Sequence, residues 1–159
     1  DLRTLFSVSL NPNEPELLPE VADQLRENGW TESQNAFGKC LICPKETREE
    51  IIPALARALL NWRITSNQSR TFSLMETLAV AISTTANQLA AAIRAKLIEE
   101  RKAKVILENG LSETDLFVTL PAEGYIMEAE GNIDALDQAE VRLINLLQSF
   151  DYENQIVPA

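Results

Sequence analysis

Histidine is absent from the 159 residues, and that absence removes more chemistry than any motif in the chain supplies. Ser/His/Asp and Cys/His catalysis both need an imidazole base, and zinc sites of mixed Cys and His ligation need one as a ligand. Glycine is scarce, at five residues. Neither G-x-x-x-x-G-K-[ST] nor G-x-G-x-x-G occurs, so the backbone cradles that common nucleotide-binding enzymes use for phosphate are missing. No apolar run reaches the roughly 18 residues that span a bilayer. Leu2 to Leu10 is too short for a signal peptide and has no basic flank. The chain begins with Asp1 rather than Met, as a product trimmed from something longer would. The expectation is a soluble, cytoplasmic protein.

What is present is the composition of an ordinary globular domain, 45% apolar and 24% charged, long enough to bury a core as a single domain over 1–159. The net charge of −10 argues against direct nucleic-acid binding, which needs a basic surface. The charge is unevenly spread. Residues 111–159 hold ten acidic residues and one basic residue, Arg142, while 71–110 hold five basic and four acidic. The acids of the last third are interleaved with periodic apolar residues, which reads as a folded acidic face rather than a disordered tail.

Periodicity and punctuation predict an α+β fold, a small mixed or antiparallel sheet covered by helices in the order β-α-β-α-α-β-β-α. "TLFSVSL" (4–10) alternates with Phe6, Val8 and Leu10 on one face. A helix follows, with Asn13 as cap, Glu14, Pro15 and Glu16 in its first turn, and a stripe of Leu17, Leu18, Val21 and Leu25. It ends at Asn28-Gly29. "NAFGKCLIC" (35–43) reads as a strand. Pro44 opens a second helix whose inward residues are Ile51, Ile52, Leu55, Leu59 and Trp62, with Pro53 as a possible kink. A polar connection (64–70) leads to a long helix from Thr71 towards Glu108, since Phe72, Met75, Ala79, Ile82, Ala86, Leu89 and Ile93 keep 3- and 4-residue spacing. "DLFVTL" (115–120) and "GYIMEA" (124–129) are expected to pair as a hairpin. Asn132 caps a final helix to about Phe150, with Leu136, Leu143, Leu147 and Phe150 inward.

Three groups of residues are candidates for function. The first is C-x-x-C, Cys40 and Cys43, placed where a strand meets a helix N-terminus, the setting that lowers a thiol pKa in thiol–disulfide proteins. Strand alternation turns the two side chains to opposite faces, and Glu46, Glu49 and Glu50 oppose a thiolate. Two thiolates without imidazole also fall short of a four-ligand zinc site. "EAEGNID" (128–134) has carboxylates at alternate positions, but its glycines are misplaced for a calcium loop. No metal, cofactor or catalytic residue is therefore expected, and the cysteines read first as structural. The second group is Ala79, Ile82, Ala86, Leu89 and Ile93, a small-residue stripe suited to a homo-oligomer or partner interface. The third is Glu128, Glu130, Asp134 and Asp137, an acidic face for a basic protein. In the basic stretch 94–104, Arg94, Lys96, Arg101 and Lys102 are expected to face Glu128, Asp134, Asp137 or Glu140, while Glu99 and Glu100 pair with Lys102 and Lys104 along the helix.

Together these features predict a non-enzymatic interaction module, a regulatory, adaptor or assembly subunit. A thiol–disulfide protein using Cys40 and Cys43 ranks second, and an acidic mimic of nucleic acid that inhibits a basic partner ranks third.

Overall fold

The computed structural model describes residues 2–11, 19–61, 76–99 and 102–155. Four α-helices and seven strands in small antiparallel sheets lie among them, the α+β class that periodicity predicted. The residues group into two compact units, 1–54 with 145–159, and 55–144. None of the described helices is long and apolar enough to cross a membrane.

The first unit is built on a three-stranded sheet. β1 (Ser7–Ser9) and β2 (Thr31–Asn35) both pair antiparallel with β3 (Gly38–Ile42), which lies between them. A central strand is paired along both edges, and here it is also covered, so Cys40, Leu41 and Ile42 are all buried. β2 has the sequence TESQN, too polar for alternation to reveal, and it forms because Ala36–Phe37 close a two-residue hairpin. The Asn35 side chain organises that turn. Its Oδ1 accepts the Phe37 amide at 2.8 Å and its Nδ2 donates to the Arg3 carbonyl at 3.3 Å. Gly38 completes the turn at φ +128°, a conformation side chains rarely tolerate. The expected strand over 4–10 shortens to three residues because Phe6 adopts φ +62°, which breaks the pleat just before Ser7.

α1 (Pro19–Glu27) lies against β3 and ends as predicted, with Gly29 at φ +83° and the Trp30 amide bonded back to the Leu25 carbonyl. Its buried residue is Ala22, whereas Val21 is exposed, so the inward face is rotated by one residue from the expected stripe. Asn13, Glu14, Pro15, Glu16, Leu17 and Leu18 fall outside the described residues. α2 (Lys45–Leu60) starts directly after Pro44 and runs through Pro53. Its buried stripe is Arg48, Ile52, Ala56 and Leu60, four residues apart at each step, while Ile51 and Leu59 are exposed. Trp62 and the connection 64–70 are also outside the described residues.

Among the described residues, the second unit has strands and a short helix in place of the long helix expected over 71–108; Phe72, Met75 and Arg101 lie outside them. From Ala79 onward the chain forms β4 (Ala79–Ser83), α3 (Ala86–Ala92), β5 (Ile93–Glu99) and β6 (Lys102–Leu107). The 3.6-residue spacing of Ala79, Ile82, Ala86, Leu89 and Ile93 coexists with two-residue alternation through Val80–Ile82 and Arg94–Lys96. Non-local pairing selects the second period. β4 pairs antiparallel with β7 (Thr114–Val118), and β5 pairs with β6 as a hairpin. Ser83 also closes the strand, since its Oγ donates to the Glu113 carbonyl at 2.9 Å and accepts the Thr85 amide at 3.1 Å, a local bond that competes with helix.

The hairpin expected between 115–120 and 124–129 is likewise overturned: β7 pairs with β4 instead, and the chain after it turns away. Residues Leu120–Gly124 form a 3-10 turn with Pro121 at its start, and Ile126 makes a single parallel bridge to Val105. The chain then passes so close to itself that a Cβ on Gly131 would meet Leu120 Cα and the Thr119 oxygen at 2.6 Å. α4 (Ala135–Ser149) falls inside the range predicted for the last helix. Asn132 prepares it, its Oδ1 accepting the Asp134 amide at 2.9 Å.

Candidate functional site

The thiols come first, because their surroundings are the most fully built. Both cysteines are free and buried. Cys40 is 1% exposed and shares a cluster with Ile42 and Tyr152. Cys43 follows the end of β3, with its amide donating to the Phe6 carbonyl at 2.9 Å. Burial pushes both thiols above their ordinary value, and for Cys43 the Arg48 cation offsets part of that rise. Each therefore stays protonated, the opposite of what an attacking thiolate needs. Among the described residues no three of Cys, Asp and Glu are grouped to hold a metal ion.

Beside them is an arrangement that sequence reasoning missed. Arg48 sits in the buried stripe of α2, with a side chain only 6% exposed. Its guanidinium bonds the Cys43 carbonyl, pairs with Glu153 Oε1 at 2.6 Å and lies 4.8 Å from the centre of the Tyr152 ring. The first ties α2 to the end of β3, and the other two tie α2 to the segment after α4. The available signal was its position, four residues before Ile52 in the frame that Ala56 and Leu60 continue.

The stripe proposed as a helical interface is dispersed. Ala79 and Ile82 lie on β4, Ala86 and Leu89 on α3, and Ile93 opens β5, so the five share no helix. Ile82 is buried, while Leu89 and Ile93 are exposed. Ala79 and Ile93 instead border an open apolar groove of about 520 Å³ with Leu59, Val80, Val105 and Ile126.

The acidic candidates are all exposed, but they fall in two places. Glu128 and Glu130 border a depression of about 440 Å³ that Lys96 also lines. Asp137 borders a cleft of about 410 Å³ with Glu76, Asn132, Leu120 and Ile133. Asp134 lies in the turn between them, tied to Asn132. Other acids of this region are paired, Asp115 with Arg142 and Glu140 with Arg57 at 3.0 Å. The four candidates form no ion pair among the described residues. Arg94 is not opposite the acidic third, as had been expected. It pairs with Glu108 across its own hairpin, because β5 and β6 bring the two side by side.

No family model matches the chain, and no characterised protein or solved structure is similar to it. What the residues can do follows from their own chemistry. Carboxylates open to solvent offer charge and hydrogen-bond acceptors rather than the desolvated pair that acid–base catalysis uses. Large apolar side chains stand beside them. Ile133 is 80% exposed, and Leu120 and Tyr125 are exposed as well.

Proposed function

We propose that the protein is a non-enzymatic interaction module, a regulatory, adaptor or assembly subunit, which meets a basic partner protein through the surface carried by residues 128–137. The observation behind this reading is that Glu128, Glu130, Asp134 and Asp137 are exposed without ion-pair partners among the described residues, next to the exposed Ile133. Unpaired carboxylates steer a cationic partner and select against wrong ones, while an apolar neighbour supplies contact area. Self-association through a 79–93 helix forms no part of the proposal, since those residues lie on three elements.

The test uses fluorescence anisotropy with two labelled synthetic peptides, one all lysine and one alternating lysine with leucine. Replacing the four acids by their amides (Glu128→Gln, Glu130→Gln, Asp134→Asn, Asp137→Asn) should weaken binding of both peptides by about tenfold or more, at roughly 0.2–1 kcal/mol for each exposed pair. Ile133→Ser should weaken only the lysine–leucine peptide. Equal binding by wild type and the amide variant would reject the proposal. Loss of the all-lysine peptide with no preference for the leucine-bearing one would favour a purely electrostatic, nucleic-acid-like surface.

A further inference from the structure

We infer that the segment Phe150–Gln155 is a latch over the Cys40 thiol, held shut by Arg48 and Glu153. Cys40 and Ile42 project from the same face of β3, and the Tyr152 ring completes their cluster, with Leu5, Phe6 and Phe150 packed around it. The ring is gripped edge-on by Phe6 at 5.7 Å and by Phe150 at 4.8 Å. Its hydroxyl donates to the Leu147 carbonyl at 3.0 Å. The aromatic plug is thus the direct cover of Cys40, and Cys43 lies outside the cluster.

Beyond this aromatic packing, the bonds that tie the plug to the rest of the unit are few and polar. Arg48 lies 4.8 Å from the ring centre and pairs with Glu153, whose carbonyl accepts Ser33 Oγ at 3.1 Å. Residues 150–155 form neither helix nor strand. Their other hydrogen bonds are mostly local: the amides of Glu153 and Asn154 donate to Asp151 Oδ1, and Gln155 Nε2 donates to the Tyr152 carbonyl. A segment without ladder bonds opens at a fraction of the free energy of global unfolding. The partners of the holding pair differ, since Arg48 is nearly buried and the Glu153 side chain is 50% exposed. Lifting Tyr152 gives the guanidinium to water, so opening does not strand a buried charge. With the latch shut, Cys40 is out of reach. With it open, the thiol becomes accessible while the sheet beneath stays paired.

The test is residue-resolved alkylation of the full chain by N-ethylmaleimide, read by peptide mass spectrometry across low urea concentrations. In the wild type, Cys40 should label faster than Cys43, with a rate nearly independent of urea, as a small local opening requires. The Cys43 rate should carry the full urea dependence of unfolding. Glu153→Ala removes both the charge and the acceptor from the holding pair and should speed Cys40 labelling about tenfold, the effect of losing one hydrogen bond to a charged group, with Cys43 unchanged. Equal rates and equal urea slopes for the two cysteines in the wild type would overturn the latch, and so would an equal rise of both in the variant. The wild-type measurement stands even where a variant folds poorly.

Discussion

The two units of the chain solve burial differently. The first has a three-stranded sheet, so one strand, β3, is paired on both edges and buried through Cys40, Leu41 and Ile42. The second has two-stranded sheets, β4 with β7 and β5 with β6, in which every strand is an edge within its own sheet. Such small sheets expose one face readily, and Ile93, Leu97 and Val105 are accordingly solvent-facing. Charge also divides in a way the linear sequence hides. The last third of the chain carries most of the net charge, yet residues 1–54 with 145–159 hold 5 basic and 12 acidic residues, and 55–144 hold 9 and 12. The exposed acids Glu128, Glu130, Asp134 and Asp137 are therefore a local feature of the second unit rather than the property of a uniformly acidic unit.

This contrast yields expected outcomes of decreasing size. Leu41→Ala removes a fully buried side chain from β3 and should cost about 3 kcal/mol in urea unfolding. Leu97→Ala, on a residue 72% exposed, should stay within about 0.5 kcal/mol. Comparable losses at both positions would erase the distinction between the units. Gly131→Ala tests the tightest point of the second unit, where the new methyl meets backbone rather than a flexible side chain. A loss of about 2 kcal/mol is expected, and a neutral result would mean that the approach of 131 to 119–120 is loose.

The smallest effect depends on pH. Burial raises both thiols in the folded state, so the unfolded chain loses these protons first as pH rises. Their stabilisation is complete below the ordinary thiol value of 9.0 and declines above it, towards the raised folded values. Tyr152, also raised by burial, adds a loss of the same sign at higher pH. Unfolding free energies of the wild type should therefore fall between neutral and alkaline pH, and the decline should be shallower in Cys40→Ser/Cys43→Ser. Parallel curves for the two proteins would show that the thiols are not buried in solution.

Features whose partners lie within a few residues were legible in the sequence. Pro44 marks the start of α2, Gly29 ends α1, and Asn132 prepares α4, each through its own φ preference or a bond two to five residues away. Among the functional candidates, Glu128, Glu130, Asp134 and Asp137 are exposed, but Glu128 and Glu130 border one depression and Asp137 another. The residue missed was Arg48, because a guanidinium in a helical frame ordinarily faces solvent, and its partners Tyr152 and Glu153 lie more than a hundred positions away. β2 was missed for a different reason: its partner β3 is adjacent in the chain, but TESQN has no apolar rhythm to mark a strand.

The sequence by itself determined the chemistry excluded by lacking histidine, the α+β class and the helix boundaries that caps and turns impose, because these depend on composition or on bonds closed locally. Only the tertiary structure decided between the two periods written into 79–107. Ala79, Ile82, Ala86, Leu89 and Ile93 fit a helix, and the same stretch also alternates. The choice went to strands because β7, some thirty residues along the chain, supplies β4 with a ladder, and backbone groups of an edge gain more from a partner strand than an unpartnered helical stripe can return.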